Sequence, residues 1–232
     1  MNLDGRVYLL TGGGGPVAAS IAETFAGAGA RLALADIHAE AVKERAQRLG
    51  GLGFGLDLTD YAATEALVGE VRSRMGRLDG LIHTVGGFAF GPVKEADPGV
   101  YDRMFDRNVK SLFYAVRAVL PALLEQGDGL IAGFAAAAAW EGKGPHKALY
   151  AAAKSAVATF LRSVDAEVEG TDIRVAILYP MGTIDTPDNR KDMPEADFRR
   201  WIDPGEIAQT LLFSALRSPR GRLLELPIFP PR

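Results

Sequence analysis

Two side chains in the second half of the sequence, Tyr150 and Lys154, have the types and the spacing needed to move a proton. They lie four positions apart in a segment of helical pattern, so both would project from one face of a helix. A lysine ammonium close to a phenol stabilises the phenolate and lowers the pKa of the phenol. The pair therefore predicts a tyrosine that exchanges a proton near neutral pH, although the same spacing also occurs in ordinary helices.

A glycine-rich turn follows the first apolar run and opens the first helical segment. Glycines let the backbone pass close to a pyrophosphate, and the start of a helix offers free N–H donors and a positive dipole end. A run of glycines by itself would be equally typical of a flexible loop, but this strand-to-helix position favours a dinucleotide-binding turn. Its candidate binding residues are Thr11, Gly12, Gly14, Gly15, Pro16 and Val17.

Asp36 lies at the end of the second apolar run, a little over twenty residues beyond the first glycines. A carboxylate there can accept hydrogen bonds from an adenosine 2′-hydroxyl and would repel a 2′-phosphate. The neighbouring Ile37 and His38 supply no arginine to hold such a phosphate. NAD(H) is thus favoured over NADP(H), with a solvated helix-capping Asp as the alternative. Asp57 and Leu58, after the third run, would lie beside the adenine ring or at a helix N-terminus.

Short apolar runs of β type alternate with longer segments of helical period along the chain. The runs are 7–10, 32–35, 53–56, 81–84, 130–134, 175–178 and 223–226, and the helical segments are 17–28, 39–49, 60–76, 99–125, 147–169 and 204–217. Continuous apolar runs indicate strands that are buried on both faces. We therefore predict one α/β domain over residues 1–232, a doubly wound Rossmann fold with a seven-stranded parallel sheet and helices on both faces.

One stretch, 181–203, departs from this alternation because it is rich in proline, aspartate and other charged residues. Long irregular excursions are uncommon in compact domains, and many of them are functional. We expect this stretch to form a lid over the site.

Composition excludes several classes of protein. The chain has 232 residues, of which 48% are apolar, a formal charge of −3, three His and no Cys. Its scattered basic residues predict no nucleic-acid or membrane partner, and a metal site is not expected. The N-terminus lacks the features of a signal peptide, and no apolar stretch approaches the roughly 20 residues of a membrane span. We expect a cytoplasmic protein that acts on a small-molecule substrate.

Taken in order, these motifs resemble those of the short-chain dehydrogenase/reductase family over nearly the whole chain. The family has Asn-Asn-Ala-Gly after its fourth strand, where this chain reads His-Thr-Val-Gly at 83–86, and it has a helix Asn that matches Asn108. The resemblance implies hydride transfer with a nicotinamide cofactor and catalytic roles for Asn108, Tyr150 and Lys154. His83 is expected to be a structural substitution rather than a new catalytic base.

The same resemblance implies where the cofactor and the substrate lie. Beyond the glycine turn, the cofactor residues would be Asp36, Ile37, Asp57, Leu58, Val85, Gly86, Gly87, Tyr150, Lys154, Pro180, Thr183 and Ile184, and the substrate contacts Phe88, Ala136 and Trp140. It also implies a homodimer or homotetramer built on the helices at 99–125 and 147–169. The apolar surplus of the first helix agrees with that assembly but could equally be core; its members are Leu112, Phe113, Val116, Val119, Leu120 and Leu123.

Two departures from the family pattern carry information. The second and third glycines of the family turn fall on Pro16 and Ala18, so the pyrophosphate geometry is expected to differ. The catalytic serine, expected about thirteen or fourteen residues before Tyr150, falls within an all-alanine run at 135–139. In members that reduce carbonyls this serine hydrogen-bonds the substrate oxygen, and losing such a donor costs about two orders of magnitude in rate.

One branch of the family, the quinonoid dihydropteridine reductases, resembles this chain in having Ala at the serine position. The loop at 85–88 resembles that branch's Ala-Gly-Gly-Trp, with Phe88 as the aromatic ring, and 185–198 is similar to its counterpart there. A conjugated imine accepts hydride without a carbonyl-orienting serine, so the branch implies reduction of a dihydropterin by NADH. Asn108 departs from this branch, because it keeps the residue of the wider family, which the branch lacks. The alternatives are a broad-specificity carbonyl or quinone reductase, a catalytically weak dinucleotide sensor, and a chiefly structural subunit.

Overall fold

Seven parallel strands form one sheet at the centre of the computed structural model, which describes residues 2–232. They are β1 (Val7–Thr11), β2 (Arg31–Asp36), β3 (Leu52–Gly55), β4 (Gly80–His83), β5 (Asp128–Phe134), β6 (Asp172–Pro180) and β7 (Glu225–Ile228). Their order is β3-β2-β1-β4-β5-β6-β7, so the direction of winding reverses between β1 and β4. In doubly wound sheets the crevice at the carboxyl ends of the strands beside this reversal binds the ligand.

Helices cover both faces of the sheet. They are α1 (Pro16–Gly27), α2 (Ala39–Arg48), α3 (Tyr61–Met75), α4 (Gly99–Phe105), α5 (Ser111–Gln126), α6 (Ala137–Trp140), α7 (Ala148–Glu167), α8 (Pro187–Asp192) and α9 (Pro204–Leu216). One core layer packs α1, α2 and α9 on one face, and the other packs α3, α5 and α7 on the opposite face. Within the described residues, none of the helices combines the length and the apolarity that crossing a bilayer requires.

Helix α1 shows how local sequence places the glycine turn against the sheet. Pro16 occupies its first position, where a backbone N–H has no helical partner and the fixed φ of proline suits a helix. The buried residues recur at helical spacing and form one apolar stripe; they are Ala18, Ile21, Ala22 and Phe25. This stripe fixes α1 on the sheet and directs its N-terminus at the end of β1.

The predicted fold class and the seven strands are confirmed, with small differences in strand ends. The sixth strand is longer at both ends than the predicted 175–178, and the last strand, which was expected at 223–226, is shifted to Glu225–Ile228. It contains Pro227, a residue that disfavours a strand in sequence patterns. β7 is an edge strand, and an edge tolerates a residue that lacks an N–H donor.

The helical segment predicted at 99–125 is confirmed in extent, but it is not one regular α-helix, because α4 and α5 are joined by a π-helical turn over Asp106–Lys110. Asn108 Nδ2 donates to the carbonyl of Met104 at 2.8 Å, and Ser111 Oγ donates to that of Arg107 at 2.7 Å. Side chains that bond carbonyls four residues earlier compete with the α-helical ladder. π-helical turns are common at functional sites, and this one carries Asn108.

The stretch at 181–203 is more ordered than its composition predicts. It contains α8, a 3-10 turn over Phe198–Arg200 and a parallel bridge between Ile184 and Ile202. Thr186 caps α8 by accepting a hydrogen bond from the backbone N–H of Asn189 at 3.2 Å. The expectation of a wholly irregular stretch is therefore wrong, because local caps and one long-range bridge satisfy its backbone.

Candidate active site

The glycine turn passes from β1 to α1 with almost no room for side chains. Gly12 has φ of +75°, and a Cβ on it would lie 2.9 Å from the backbone N of Val85. A Cβ on Gly14 would lie 3.1 Å from the Oδ2 atom of Asp36. Gly12 therefore needs glycine, whereas a side chain at Gly14 would require the Asp36 carboxylate to shift by a few tenths of an ångström. The bare backbone of the turn fits the close approach of a pyrophosphate.

The N–H groups of the turn are mostly bonded within the protein. Gly13 donates to the carbonyl of Ala35 and Gly15 to that of Gly12, both at 3.0 Å. Pro16 has no N–H, so the free donors at this helix start are those of Val17 and Ala18. Gly14 and Gly15, expected to bind the cofactor, thus shape the turn, and the helix N-terminus keeps two donors for an anion rather than three.

Asp36 is oriented by two backbone donors at the end of β2. Its Oδ2 atom accepts from Gly14 N at 3.0 Å and its Oδ1 atom accepts from His38 N at 2.9 Å. Each carboxylate oxygen has further lone pairs, which can accept hydroxyl hydrogens. Ile37, beside it, is 65% exposed and offers an apolar surface there. This arrangement fits the ribose of an adenosine.

A buried chain of hydrogen bonds runs from Thr11 through His83 to Ser111. Because Ser111 donates its hydroxyl to Arg107 O, its oxygen accepts from Nε2 of His83 at 3.1 Å, and Nδ1 accepts from Thr11 at 2.8 Å. Burial, and then the charge of Lys154, lower the pKa of His83 to about 3. His83 is therefore a neutral structural residue. The hydroxyl of Thr11, which was expected to contact the cofactor, donates to His83 instead.

Asn108 and Lys154 converge on Gly86. A Cβ on Gly86 would lie 3.0 Å from Oδ1 of Asn108 and 3.3 Å from Nζ of Lys154. Asn108 bonds both the N–H and the C=O of Gly87 at 3.2 Å, and Lys154 Nζ donates to the carbonyl of Phe134 at 2.8 Å. The π-helical turn, the loop after β4, the end of β5 and α7 therefore meet at one point.

Burial controls the ionisation of Tyr150 and Lys154. It raises the pKa of Tyr150 to about 12 and lowers the pKa of Lys154, which is 7% exposed, to about 8. The expectation that Tyr150 ionises near neutral pH is therefore wrong for the protein without a bound cofactor, because burial removes water from the phenol and disfavours the phenolate. At neutral pH Tyr150 holds its proton and Lys154 is mostly charged.

A cavity of about 480 Å³ lies beside the start of α7, between segments 89–101 and 146–149. Aromatic contacts join the loop after β4 to this region: the rings of Phe88 and Tyr150 meet edge to face at 5.0 Å, and those of Phe90 and His146 lie 5.7 Å apart. His146 has φ of +58° and its carbonyl accepts from Gly91 N at 2.7 Å. The cavity has the size of a small-molecule site.

Residues 6–197 match a family model described as short chain dehydrogenase, and this match covers most of the chain. The chain belongs to the short-chain dehydrogenase family. Its strand order and its Tyr-x-x-x-Lys helix are those of an oxidoreductase of this family.

Individual relatives agree with this membership. The chain is 31% identical over 230 residues to 2-(S)-hydroxypropyl-CoM dehydrogenase 3 of Xanthobacter autotrophicus, covering 91% of this chain and 89% of the relative. It is 31% identical to 7alpha-hydroxysteroid dehydrogenase of Escherichia coli K12, covering 92% and 88%. The crystal structure of the 3-ketoacyl-(acyl-carrier-protein) reductase of Brucella melitensis with NADH superposes with a TM-score of 0.87 at 23% identity, covering 98% of both chains. At that identity the last comparison supports the fold.

The remaining site residues predicted for this short-chain dehydrogenase occupy several environments. Asp57 accepts from the N–H and the hydroxyl of Thr59, both at 2.8 Å, and these bonds lower the pKa of Asp57. Asp57 therefore caps the turn before α3, while Asp60 is the N-cap of the helix itself. Leu58 is buried in the core, so its side chain offers almost no surface to an adenine.

Among the predicted substrate contacts, Phe88 and Ala136 lie in suitable places. Phe88 is 61% exposed beside Tyr150, and Ala136 is a buried N-cap of α6 without a side-chain donor. Trp140 packs its ring edge to face on Tyr179 at 5.0 Å instead of joining Phe88 and Tyr150. Sequence patterns could not assign this contact, because Trp140 and Tyr179 are brought together only by the packing of α6 on β6.

Three predicted cofactor residues lie where β6 leaves the sheet. Pro180 ends β6, and Thr183 accepts from Ile202 N at 2.8 Å. The carbonyl of Ile184 accepts from Nδ2 of Asn189 at 2.8 Å. These bonds tie the beginning of the segment to α8 and to the residues just before α9.

Sequence reasoning missed two polar residues beside the site, Arg45 and Ser111. Ser111 orients His83, as described above. Arg45 on α2 donates from Nη1 to the carbonyls of Gly13 and Gly15, the latter at 3.0 Å. Nothing in the helical pattern of α2 distinguishes Arg45 from its charged neighbours, because the contact depends on how α2 packs beside the turn.

Replacing Lys154 by Met is expected to stabilise the protein by about 2 kcal/mol at pH 7, since the charged amine is held in a buried place. The pKa of Lys154 is lower in the folded state than its usual value of 10.5, so the unfolded chain binds more protons between about pH 8 and pH 10.5. The stability of the unaltered protein therefore rises with pH in that window, and the advantage of Lys154→Met shrinks. Urea unfolding of both proteins at pH 7 and pH 10 measures this difference in the free energy of unfolding.

The exposed Lys143 provides the control for that comparison. Lys143→Met should change the free energy of unfolding by less than about 0.5 kcal/mol at either pH. A Lys154→Met protein that is no more stable than the unaltered protein at pH 7 would show that the buried ammonium does not lower the free energy of unfolding.

Proposed function

We propose that this short-chain dehydrogenase is an NAD(H)-dependent reductase in which Tyr150 is the proton donor. The observation that carries the proposal is the convergence of Asn108 and Lys154 on Gly86 in the crevice beside the glycine turn. The coenzyme supplies the hydride when it is bound.

Residues of this chain fit each part of such a coenzyme. The free N–H groups of Val17 and Ala18 would hold the pyrophosphate, and the carboxylate of Asp36 the adenosine ribose. Lys154 would bind the hydroxyls of the nicotinamide ribose, next to the bare backbone of Gly86. The predicted residues along the edge of β6 would flank the nicotinamide; they are Pro180, Thr183 and Ile184.

Tyr150 donates its hydroxyl proton to the substrate atom that gains negative charge during reduction. The raised pKa of Tyr150 keeps that proton in place at neutral pH, and the substrate receives one hydride and one proton in all. The ammonium of Lys154 stabilises the phenolate that remains, and water returns the proton to it. The pKa of Lys154, about 8, sets the pH above which this support is lost.

The preference for NADH over NADPH rests on Asp36. Asp36→Ala should lower the preference, expressed as the ratio of the two dissociation constants, by about tenfold, because it removes the ribose acceptor and the repulsion of a 2′-phosphate. Fluorescence titration with each coenzyme measures both constants. Asp172→Ala is the matched control, since Asp172 is exposed at the amino end of β6, on the edge of the sheet opposite the site; an unchanged ratio in Asp36→Ala would remove Asp36 from coenzyme selection.

We further propose a conjugated imine, such as a dihydropterin, as the substrate class. Ala136 offers no hydroxyl to orient a carbonyl oxygen, whereas Phe88 offers an exposed aromatic face beside Tyr150. A flat heterocycle can stack on such a ring. The adjacent cavity of about 480 Å³ leaves room for its side chain.

The test is NADH oxidation by the purified protein with chemically generated quinonoid dihydropterin, run beside simple ketones and quinones and repeated with NADPH. Turnover that is selective for the pterin and for NADH supports both parts of the proposal. Turnover of ketones alone would exclude the pterin, and no turnover despite tight NADH binding would favour a dinucleotide sensor.

A broad carbonyl or quinone reductase is the second candidate. It is favoured by the relatives, whose names are those of dehydrogenases of hydroxyl compounds. The same assay separates the two, because this candidate predicts comparable rates on several unrelated ketones or quinones.

We also propose a homodimer or homotetramer formed through α5 and α7. Four of the six apolar residues that suggested this are core, namely Leu112, Val116, Val119 and Leu123. Phe113 remains partly exposed and meets Phe160 of α7 edge to face at 6.0 Å, so a smaller apolar surface joins the two helices. Size-exclusion chromatography with light scattering measures the mass in solution, which should be two or four times that of the monomer.

A further inference from the structure

Arg45 reaches from α2 to the side of the glycine turn that faces away from the end of β4. Its Nη1 atom donates to the carbonyls of Gly13 and Gly15. Among residues 2–232, its buried Nε atom has no hydrogen-bond partner. Leaving a buried N–H unbonded costs free energy. The position of the guanidinium therefore satisfies the two glycine carbonyls at the expense of the Arg45 Nε hydrogen bond.

The peptide between Gly13 and Gly14 is consequently held at both of its polar ends. Its carbonyl accepts from Arg45, and its N–H donates to Oδ2 of Asp36 at 3.0 Å. Glycine has the largest backbone freedom of any residue, and a run of glycines would otherwise sample many orientations of this peptide. A cation at one end and a carboxylate at the other select one of them.

The charges near Arg45 agree with this arrangement. Burial and the neighbouring Arg48 lower the pKa of Arg45, while Glu23 and Asp36 act in the opposite direction. An arginine remains charged under such conditions. Hydrogen bonds from a charged donor are about twice as strong as neutral ones, so the two carbonyl bonds are strong restraints on the turn.

We propose that Arg45 is a positioning residue of the coenzyme site, which fixes the Gly13–Gly14 peptide and thereby the carboxylate of Asp36. This inference rests on the proposed function, since it assumes that a nicotinamide dinucleotide binds at the turn. Arg45 acts through the backbone and makes no contact with the coenzyme phosphates.

Arg45→Met should weaken the binding of NADH by about tenfold, because the turn and Asp36 lose their fixed orientation. NADPH should lose affinity by a smaller factor, because a loosened Asp36 also repels its 2′-phosphate less, and kcat at saturating NADH should stay within about twofold because Tyr150 and Lys154 are untouched. Arg45→Lys keeps the positive charge but replaces the forked guanidinium by a single ammonium on a shorter side chain. Compared with Arg45→Met, it should recover part of the affinity for NADH. Arg45→Met combined with Asp36→Asn should lose less than the sum of the two single losses.

The experiment is a fluorescence titration of the unaltered protein and these variants with NADH and with NADPH, with melting temperatures as a check of folding. Arg48→Met is the matched control, because Arg48 carries the same charge on an exposed position of the same helix; it should bind NADH like the unaltered protein. If Arg45→Met does not fold, intermediate binding by Arg45→Lys still supports the proposal and unchanged binding by it overturns the proposal.

Three further results would overturn the role of Arg45. The first is that Arg45→Met binds NADH as tightly as the unaltered protein does. The second is that Arg48→Met loses as much affinity for NADH as Arg45→Met does. The third is that Arg45→Met loses affinity for NADPH alone, which would indicate that Arg45 contacts a 2′-phosphate directly. Failure of the unaltered protein to bind either coenzyme is a different result, because it would refute the proposed function itself.

Discussion

Tyr150→Phe is expected to lower kcat for the reduction about a thousandfold, with NADH affinity changed by less than about twofold. The hydroxyl is the only group that the substitution removes, and the phenyl ring keeps its contact with Phe88. Because the raised pKa of Tyr150 keeps the hydroxyl protonated, the loss should be nearly constant between pH 5 and pH 7, within the range where Lys154 is mostly charged. Single-turnover kinetics and an NADH titration measure the two quantities separately.

Tyr61→Phe provides the control, since Tyr61 donates to Glu65 on the surface of α3 and has no part in the site. It should leave kcat and NADH affinity unchanged. If Tyr150→Phe turned over substrate as fast as the unaltered protein, water or another group would be the proton donor, and the proposed role of Tyr150 would be wrong.

Ala136→Ser is expected to raise turnover of simple ketones by about a hundredfold, since a hydroxyl at this place can stabilise the developing oxyanion. Turnover of a dihydropterin should change far less, because the proposed imine substrate has no carbonyl oxygen at the reacting atom. The residue follows β5 and has an extended conformation at the start of α6, where a serine is readily accommodated. The ratio of kcat/KM for a ketone and for the pterin, in both proteins, measures the effect.

Ala139→Ser adds a hydroxyl three residues further along the same short helix and serves as the matched control. It should leave the ratio unchanged. An equal lack of effect in Ala136→Ser would mean that position 136 does not correspond to the catalytic serine of the family, and the argument for an imine substrate would lose its main support.

A candidate site could be proposed from the sequence where a residue's own type and its place relative to a strand or helix suggest its role. Asp36 follows the second apolar run, and Tyr150 and Lys154 share a helix face, so both could be assigned from spacing. The failures have a different origin. The pKa of Tyr150 is set by burial, and Trp140 contacts Tyr179 through the packing of α6, so neither is encoded in a local pattern.

The sequence by itself determined the alternation of buried strands with amphipathic helices and, through it, the parallel sheet with the glycine turn at its reversal point. These are consequences of local periodicity and backbone freedom, which act over a few residues. Only the tertiary structure decided that a π-helical turn directs Asn108 to Gly87, that His83 is neutral, and that Arg45 holds the glycine turn. Each of these depends on desolvation or on hydrogen bonds between groups far apart in the chain, and such contacts exist only when the elements have packed.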